Sequence, residues 1–299
     1  MIRLHTRYRR DLTAERTREK QRAEKLLESA AIKISSVITD LHGVTGRDIM
    51  DHLIAGERNP KVLAQLARRS ARRKISQLEE ALEGAEFFTA DHAALLATML
   101  ARIDRVNEEI ARLTEVIERL LAPYEEQLAQ AESMPGWARR AAQDAVAETG
   151  VDMSRFRTGA HLASWAGRTP LDNQSGKRNG RSKSKKGNRY LGGLLGETAV
   201  AAGRTATREG ARYRRLARRR GKAKAQVAVG NTQLKVYHKL LSNPGMRYQD
   251  LGPDYYERQR DVRRQIAHHV GKLGALGFEV TLCRLPAPGP DGTGGTQAA

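Results

Sequence analysis

Ser175 is the residue of this sequence whose surroundings best suit covalent chemistry. It stands in the run Asp172-Asn173-Gln174-Ser175-Gly176-Lys177, directly before a loop rich in glycine, serine, asparagine, lysine and arginine. A serine hydroxyl can attack phosphorus and form a phosphoserine ester when cations neutralise the charge that develops on the phosphoryl oxygens. Gly176 would permit close backbone approach, and Lys177 and Arg178 would supply charge. An ordinary loop serine is the alternative, since no general base is evident beside it.

Two basic stretches could bind the phosphates of a nucleic acid. Residues 173–196 contain seven lysines and arginines and no acid, and residues 212–224 contain eight more. Cations and flexible backbone amides can follow a sugar–phosphate backbone, and Tyr190 could stack on a base. The alternative is a solvated basic surface. The candidate DNA-binding residues are Gly176, Lys177, Arg178, Arg181, Lys183, Lys185, Lys186, Arg189, Arg214, Arg215 and Arg218.

The overall charge agrees with a polyanionic partner. Fifty-three lysines and arginines against 34 acids give the 299 residues a net charge of +19 and a pI near 10.4. No apolar run approaches the ~20 residues that span a bilayer, and charged residues occupy the N-terminus where a signal peptide is apolar. We therefore expect a cytoplasmic protein with no membrane partner. The single cysteine, Cys283, excludes an internal disulfide framework and is expected to be a small buried side chain.

Other common catalytic patterns are absent from the sequence. It has no Walker A loop, no HExxH, no GxSxG and no dinucleotide fingerprint. Asp48 and Asp51 share a helix face without a third acid, and His268-His269 is the only histidine pair. A two-metal nuclease centre needs several convergent acids, so we expect no metal ligands and no cofactor bound by this chain.

The first half of the chain predicts long helices that support the candidate site. Residues 7–38 predict one helix, broken by Gly43 and Gly46, with only its second half packed. Asn59-Pro60 predicts the start of a further helix. Between 93 and 123, apolar residues spaced four and three apart form a heptad seam, namely Met99, Ile103, Val106, Ile110, Leu113, Ile117 and Leu120. This seam favours self-association as a homodimer or higher oligomer; the alternative is an antiparallel hairpin with the 7–38 helix.

The second half of the chain predicts shorter helices. A turn and a helix occupy 134–150, another helix ends at Gly167, and helical periodicity returns at 191–202 and 227–241. Residues 278–283 could form a short strand. The prediction is a mainly α fold, with a coiled-coil region over 1–130, a compact helical DNA-binding domain over 131–285 and a disordered tail over 286–299.

The second half also resembles the transposase domain of the insertion-sequence 110 family (the 110/116/902 group), DEDD-type bacterial transposases that act as bridge-RNA-guided recombinases. The motifs that carry the resemblance are Met134-Pro135-Gly136, Ala163-Ser164-Trp165-Ala166-Gly167 with Pro170, Ser175-Gly176, and Lys186-Gly187 leading to Tyr190-Leu191. Weaker likeness extends to the TREKQRAEKLLESAAIK helix, LIAGERNP and YQDLGPDYYERQ, so it runs from about residue 5 to 285.

The resemblance implies a function and a nucleophile. Ser175 falls on the serine that attacks the scissile DNA phosphate in this family, so the implied activity is DNA strand transfer through a serine–DNA phosphoester. DNA and a guide RNA are the implied partners. Family members begin with a RuvC-like domain whose acids hold Mg²⁺, and this chain starts after the point where that domain would end. We therefore expect a chain that is inactive alone, or alternatively a non-catalytic nucleic-acid-binding dimer that antagonises an intact transposase.

Overall fold

The computed structural model describes residues 1–171, 174–175, 178–179, 184–258 and 262–283. Its helices are α1 Ile2–Ser29, α2 Val44–Ile54, α3 Pro60–Gln65, α4 Ile75–Ala81, α5 Ala90–Leu121, α6 Glu125–Glu132, α7 Arg139–Thr149, α8 Gly159–Trp165, α9 Arg189–Gly203, α10 Arg208–Arg220, α11 Lys222–Leu241, α12 Tyr255–Arg258 and α13 Val262–Ala275. Short 3₁₀ helices cover Ile34–Ser36, Arg69–Lys74, Glu83–Phe87, Ala122–Tyr124 and Met153–Arg155. Strands β1 Gln174–Ser175 and β2 Arg178–Asn179 pair antiparallel. The mainly α prediction is confirmed.

Two apolar cores lie one after the other along the chain. The first runs from Ala23 to Ile103 and is built from the second half of α1, α2 to α4 and the first half of α5. The second runs from Ile117 to Leu241 and joins the end of α5 to α6 to α9 and α11. The 32-residue helix α5 therefore contributes to both cores and connects them.

Helix α1 ends nine residues earlier than the sequence predicted. It stops at Ser29, and Ala31 adopts a left-handed φ of 59°. The chain then turns so that Ile32 and Ile34, each 1 % exposed, enter the first core, while the Lys33 N–H donates to the carbonyl of Ala81 at 2.9 Å. Tertiary burial thus overrides a run of good helix formers.

The first half of α1 is packed as well, contrary to the sequence prediction. Arg9 is only 1 % exposed; its Nη1 donates to Gln143 Oε1 and its Nη2 to Asp144 Oδ1, each at 2.8 Å. Leu12 and Thr6 are buried beside it. These two hydrogen bonds of the terminal nitrogens compensate for part of the cost of burying Arg9, although its Nε has no partner among the described residues. The polar first turns of α1 therefore dock on α7 without an apolar stripe.

The heptad seam of α5 lies against α1 within the chain. Ile103, Val106 and Ile117 are buried as the spacing predicted, but Leu120 is 37 % exposed and Leu121 is buried in its place. Arg16 Nη1 donates to Asn107 Oδ1 across the two helices at 2.9 Å. The antiparallel hairpin, the alternative that the sequence left open, is therefore present. Self-association through 93–122 stays a prediction.

The helices predicted for the second half form, and the predicted strand does not. In the second half, Gly150 ends α7 with a φ of 76°. In the first half, Asn59 caps α3 as predicted, since its side chain accepts from the Lys61 N–H at 3.0 Å. Residues 278–283 adopt neither strand nor helix, so the strand prediction is wrong, and Cys283 is exposed rather than buried. No sheet pairs with this segment in the described part of the chain. The predicted tail, 286–299, lies outside the described residues.

Candidate nucleic-acid interface

A closed neck holds the base of the loop that carries Ser175. Its two sides pair through a bridge between Pro170 and Ser184 and through the Lys185 N–H, which donates to the carbonyl of Thr169 at 3.1 Å. Below them Gly167, with a φ of 72°, lies against Gly187. A Cβ on Gly167 would come 2.6 Å from the carbonyl oxygen of Lys185. These glycines let the two sides of the neck approach closely. This explains the glycine in each of the two motifs, Trp165-Ala166-Gly167 and Lys186-Gly187.

Replacement of Gly167 by alanine should open this neck. Alanine resists the left-handed φ, and its Cβ would clash with backbone, so we expect a loss of about 1–3 kcal/mol. Gly196→Ala is the matched control, because no atom lies within 4 Å of a Cβ there and helix α9 should gain up to ~1 kcal/mol. Urea unfolding measures both changes. Equal stability of the Gly167 variant and the wild type would contradict a tight neck.

Above the neck, the backbone of the serine forms part of a hairpin. Ser175 pairs with Arg178 and Gln174 with Asn179, so Ser175 is the last paired residue before the turn. Ser175 itself is described only as backbone. Five DNA-binding candidates lie outside the described residues or are also described only as backbone: Gly176, Lys177, Arg178, Arg181 and Lys183. Lys185, Lys186 and Arg189 are exposed on the side of the neck that leads into α9. The structure thus brings the described cations of the loop to the start of α9.

Glu148 ties the start of α9 to α1 and α7. This carboxylate is 3 % exposed and accepts from Arg7 Nε at 2.8 Å, Arg7 Nη2 at 2.9 Å and Asn188 Nδ2 at 2.5 Å. Asn188 is the N-cap of α9 and accepts from the amides of Tyr190 and Leu191. Burial alone would raise the pKa of Glu148, but the hydrogen bonds and positive charge of Arg7 lower it below its usual value. The sequence reasoning missed Glu148, because a lone helical glutamate carries no motif.

The ring of Tyr190 is in contact with two arginines. The guanidinium carbons of Arg7 and Arg189 lie 4.4 and 4.6 Å from the ring centroid, and Arg189 Nη2 donates to the hydroxyl at 2.6 Å. A guanidinium over an aromatic face is a favourable cation–π contact. Tyr190 therefore anchors Arg189 beside the neck. Base stacking by Tyr190 stays a prediction.

Two glycines of α9 receive arginine side chains from other elements. Arg168 Nη2 donates to the carbonyl of Gly192, and a Cβ there would meet this nitrogen at 2.7 Å. Arg10 lies over Gly193 and donates to the carbonyl of Tyr190 at 3.3 Å. Burial lowers the pKa of Arg168 from its usual value. The glycines lower the helix propensity of α9, but they leave room for the half-buried Arg168 side chain between the neck and α9.

The three candidate arginines of α10 are all exposed, but two of them also contact neighbouring elements. Arg214 Nη1 donates to the carbonyls of Gly203 and Thr205 at 2.8 and 2.9 Å, and Arg215 lies 4.2 Å from the Tyr256 ring centroid. These contacts hold the two side chains against the end of α9 and against α12. Arg218 is exposed near the start of α11. Of the three candidates on α10, Arg218 is therefore the one best placed to meet a ligand.

The start of α11 lies at the same end of the helices as the neck. Helices α9 and α11 run parallel, since Gly230 packs on Leu195 and Gln233 accepts from Thr198 at 2.9 Å. Asn231 Nδ2 donates to the carbonyl of Arg168 at 2.9 Å, which fixes the neck to α11. Lys224 lies seven residues earlier, about 10 Å along the helix. The neck cations and the exposed start of α11 thus face one region.

The Pro-Gly turn before α7 is half-buried and packs against α9. A Cβ on Gly136, whose φ is 81°, would lie 2.5 Å from the backbone nitrogen of Ala202. Met134 and Trp137 are buried, and Trp137 stacks on Tyr237 with ring centroids 5.5 Å apart. The turn therefore joins α6 and α7 to α9, and its glycine serves close packing.

No described part of the chain gathers three metal-ligating side chains. Among the residues whose positions are given, no group of three histidines, cysteines, aspartates or glutamates comes together. The Mg²⁺ that the resemblance implies for the family therefore has no matching ligand set there. In the same ranges, no helix combines the length and apolar character required to cross a membrane.

The fold and the site define a basic, mainly helical domain with a cationic hairpin loop at one end of its helices. Residues 128–214, from α6 to α10, match the family model described as Transposase IS116/IS110/IS902 family. The resemblance seen in the sequence is thereby confirmed for this segment, and the match is consistent with the C-terminal portion of a transposase of that family and with interaction with DNA. No curated protein matches the chain.

Proposed function

We propose that this chain binds DNA at the neck of the Ser175 loop and takes part in DNA strand transfer. The match over 128–214 carries the proposal, because the matched segment contains Ser175, the neck and the cations beside it. The hairpin supports it, since Ser175 occupies the last pair before the turn and the loop that follows is basic.

The proposed reaction is transfer of a DNA phosphate to serine. The Ser175 oxygen loses its proton and forms a bond to phosphorus, and the bond from phosphorus to the 3′ oxygen breaks, so that this oxygen leaves with a proton as a hydroxyl. Lys185, Lys186 and Arg189 bind the flanking phosphates electrostatically. Arg168, which is half-buried and holds the carbonyl of Gly192, keeps the foot of the neck in place.

The proposal also includes two partners, a guide RNA and a second copy of this chain that forms a homodimer. The resemblance supports the RNA, and the half-buried Ile110 and Leu113 on α5 support self-association. The competing function is a basic nucleic-acid binder without covalent chemistry. Formation of a serine-linked DNA adduct separates the two, because only strand transfer requires one.

Neutralising the described cations of the neck should weaken DNA binding and its salt dependence. In Lys185→Gln, Lys186→Gln, Arg189→Gln, the slope of log K against log salt should fall by about 2.7, at ~0.9 for each phosphate contact with duplex DNA. Fluorescence anisotropy at several salt concentrations measures this slope. The matched control is Arg18→Gln, Arg105→Gln, Arg119→Gln, which removes the same charge from exposed positions on α1 and α5. An equal slope in the two triple variants would place the DNA elsewhere.

A further inference from the structure

A third basic segment lies far from the neck, in the first core region. Residues 68–74 read Arg-Arg-Ser-Ala-Arg-Arg-Lys, which is five cations in seven residues with no acid among them. The segment forms the 3₁₀ helix Arg69–Lys74 and follows α3. None of its residues within the 3₁₀ helix is buried. Like charges held this close repel one another, so a folded cluster of this kind favours an anionic partner.

Both ends of the segment are fixed to neighbouring elements. At the first end the Arg68 N–H donates to Thr45 Oγ1 at 3.0 Å, and Arg68 Nε lies 2.8 Å from Asp48 Oδ2. At the other end Lys74 Nζ donates to the carbonyl of Val37 at 2.6 Å. The backbone that carries the cations is therefore held against α2 and the turn before it.

The three arginines between these ends remain free in the described structure. Arg69, Arg72 and Arg73 are exposed and form no salt bridge with any carboxylate among the described residues. Arg47 and Arg58, by contrast, are engaged: Arg47 pairs with Asp51 and Asp104, and Arg58 donates to the carbonyl of Leu53. Three cations without partners thus stand together among arginines that have them.

A groove of about 730 Å³ runs beside the segment and is lined by its cations Arg68, Arg69 and Lys74, whereas Arg72 and Arg73 are not among the lining residues. Its wall includes Gly43 and Val44 at the start of α2, where no side chain caps the helix, so backbone N–H groups add to the positive potential. Asp40 also lines the groove, and its Oδ1 accepts from the His42 N–H at 3.1 Å. No aromatic residue is among those that line it.

We propose that residues 68–74 and the groove beside them bind the phosphodiester backbone of a nucleic-acid duplex. The lining offers cations and amides for phosphates and no ring on which an unpaired base could stack, which favours a duplex over a single strand. From Arg69 to Arg73 the 3₁₀ helix rises about 8 Å, at ~2.0 Å a residue. A duplex presents about five phosphate charges over that distance, enough for all three arginines.

This surface is separate from the neck and does not depend on Ser175. The cations of 68–74 belong to the region of the first core, whereas the neck belongs to the second. Two separate basic surfaces would let one chain hold two duplex segments at once. Tethering of this kind raises the effective concentration of the second segment once the first is bound.

The test compares Arg69→Gln, Arg72→Gln, Arg73→Gln with the Arg18, Arg105, Arg119 control in the full chain. With duplex DNA the log–log salt slope should fall by about 2.7, so that affinity changes roughly 40-fold less between 50 and 200 mM salt. The same substitutions in the neck variant should lower the slope again, because the surfaces act independently. Thermal melting verifies that each variant is folded.

Three further probes decide what occupies the groove. If the 68–74 variant loses affinity for a duplex RNA of the same sequence, the result supports binding of a duplex backbone, whether or not its affinity for DNA also falls. The duplex whose affinity falls more is the preferred ligand. An effect confined to single-stranded DNA would overturn the duplex assignment. If the 68–74 variant binds polyglutamate more weakly but binds nucleic acid as well as the control does, the surface would be assigned to an acidic protein. Equal slopes for the 68–74 and control variants with every probe would also overturn the proposal.

Discussion

When a RuvC-like domain from a relative, Mg²⁺ and a guide RNA are supplied in trans, replacement of Ser175 by alanine should abolish the covalent protein–DNA adduct and leave DNA affinity almost unchanged. The hydroxyl is the atom that bonds to phosphorus, whereas affinity comes from cations that the substitution leaves in place. Removing a nucleophile typically lowers the rate by about 10⁴-fold or more, which corresponds to more than ~5 kcal/mol of transition-state stabilisation. Denaturing electrophoresis of labelled DNA, with and without Mg²⁺, measures the adduct.

Ser184→Ala is the matched control for this experiment. Ser184 lies in the neck, at the bridge to Pro170, and is exposed. An adduct formed by wild type and by the Ser184 variant but not by the Ser175 variant identifies the nucleophile. A band that survives in Ser175→Ala would place the nucleophile elsewhere. Strong DNA binding with no band under either condition would favour the non-covalent nucleic-acid binder.

Replacement of Glu148 by alanine should be the most destabilising of the single substitutions considered. It leaves Arg7 and Asn188 without their shared partner at a site where the carboxylate is 3 % exposed. Removing one partner of a fully buried charge pair costs about 3–5 kcal/mol. Because the Arg7 side chain is 33 % exposed, we expect a loss at the lower end of this range. The exposed pair of Glu126 with Arg247, also bidentate, provides the control, and Glu126→Ala should change stability far less. Urea unfolding at neutral pH compares them.

The effect of Glu148 should also depend on pH. Its pKa is lower in the folded chain than in the unfolded chain, so its stabilisation is complete above the unfolded pKa of about 4.3. It is lost as pH falls through the lower, folded pKa. The difference in unfolding free energy between wild type and Glu148→Ala should therefore be full at pH 7 and shrink below about pH 4. A difference that stays constant into acid would mean that the carboxylate charge is not what stabilises the start of α9.

Local signals in the sequence predicted the elements whose ends are set locally. Asn59-Pro60 caps α3, and Gly150 and Gly167 follow α7 and α8, because caps and left-handed glycines act within a few residues. The end of α1 at Ser29 was not predictable in this way. No breaker stands there, and burial of Ile32 and Ile34 against residues some 50 positions away decides it.

In the candidate site, too, local sequence predicted some residues, whereas others depend on contacts with distant parts of the chain. Ser175 and the loop cations could be found from composition and motif, because their chemistry is written in consecutive residues. The residues that hold the loop could not. Glu148 meets Arg7 across 141 positions, and Gly192 receives Arg168 across 24. Arg214 and Arg215 seemed equivalent to Arg218 by charge, and only their contacts with α9 and Tyr256 distinguish them.

The arginines of α1 also set an order of events during synthesis of the chain. Helix α1 leaves the ribosome before the helices on which it packs, so Arg9 must wait for Gln143, 134 residues later, and Arg10 for Glu197, 187 residues later. At a translation rate of 5–20 residues per second, the second interval lasts roughly 10–40 s. The contact between Arg16 and Asn107 spans only 91 residues, so α1 meets α5 first. The nascent chain thus completes its N-terminal helical unit early, and the foot of the serine loop assembles last, when the same helix closes over α7 and α9.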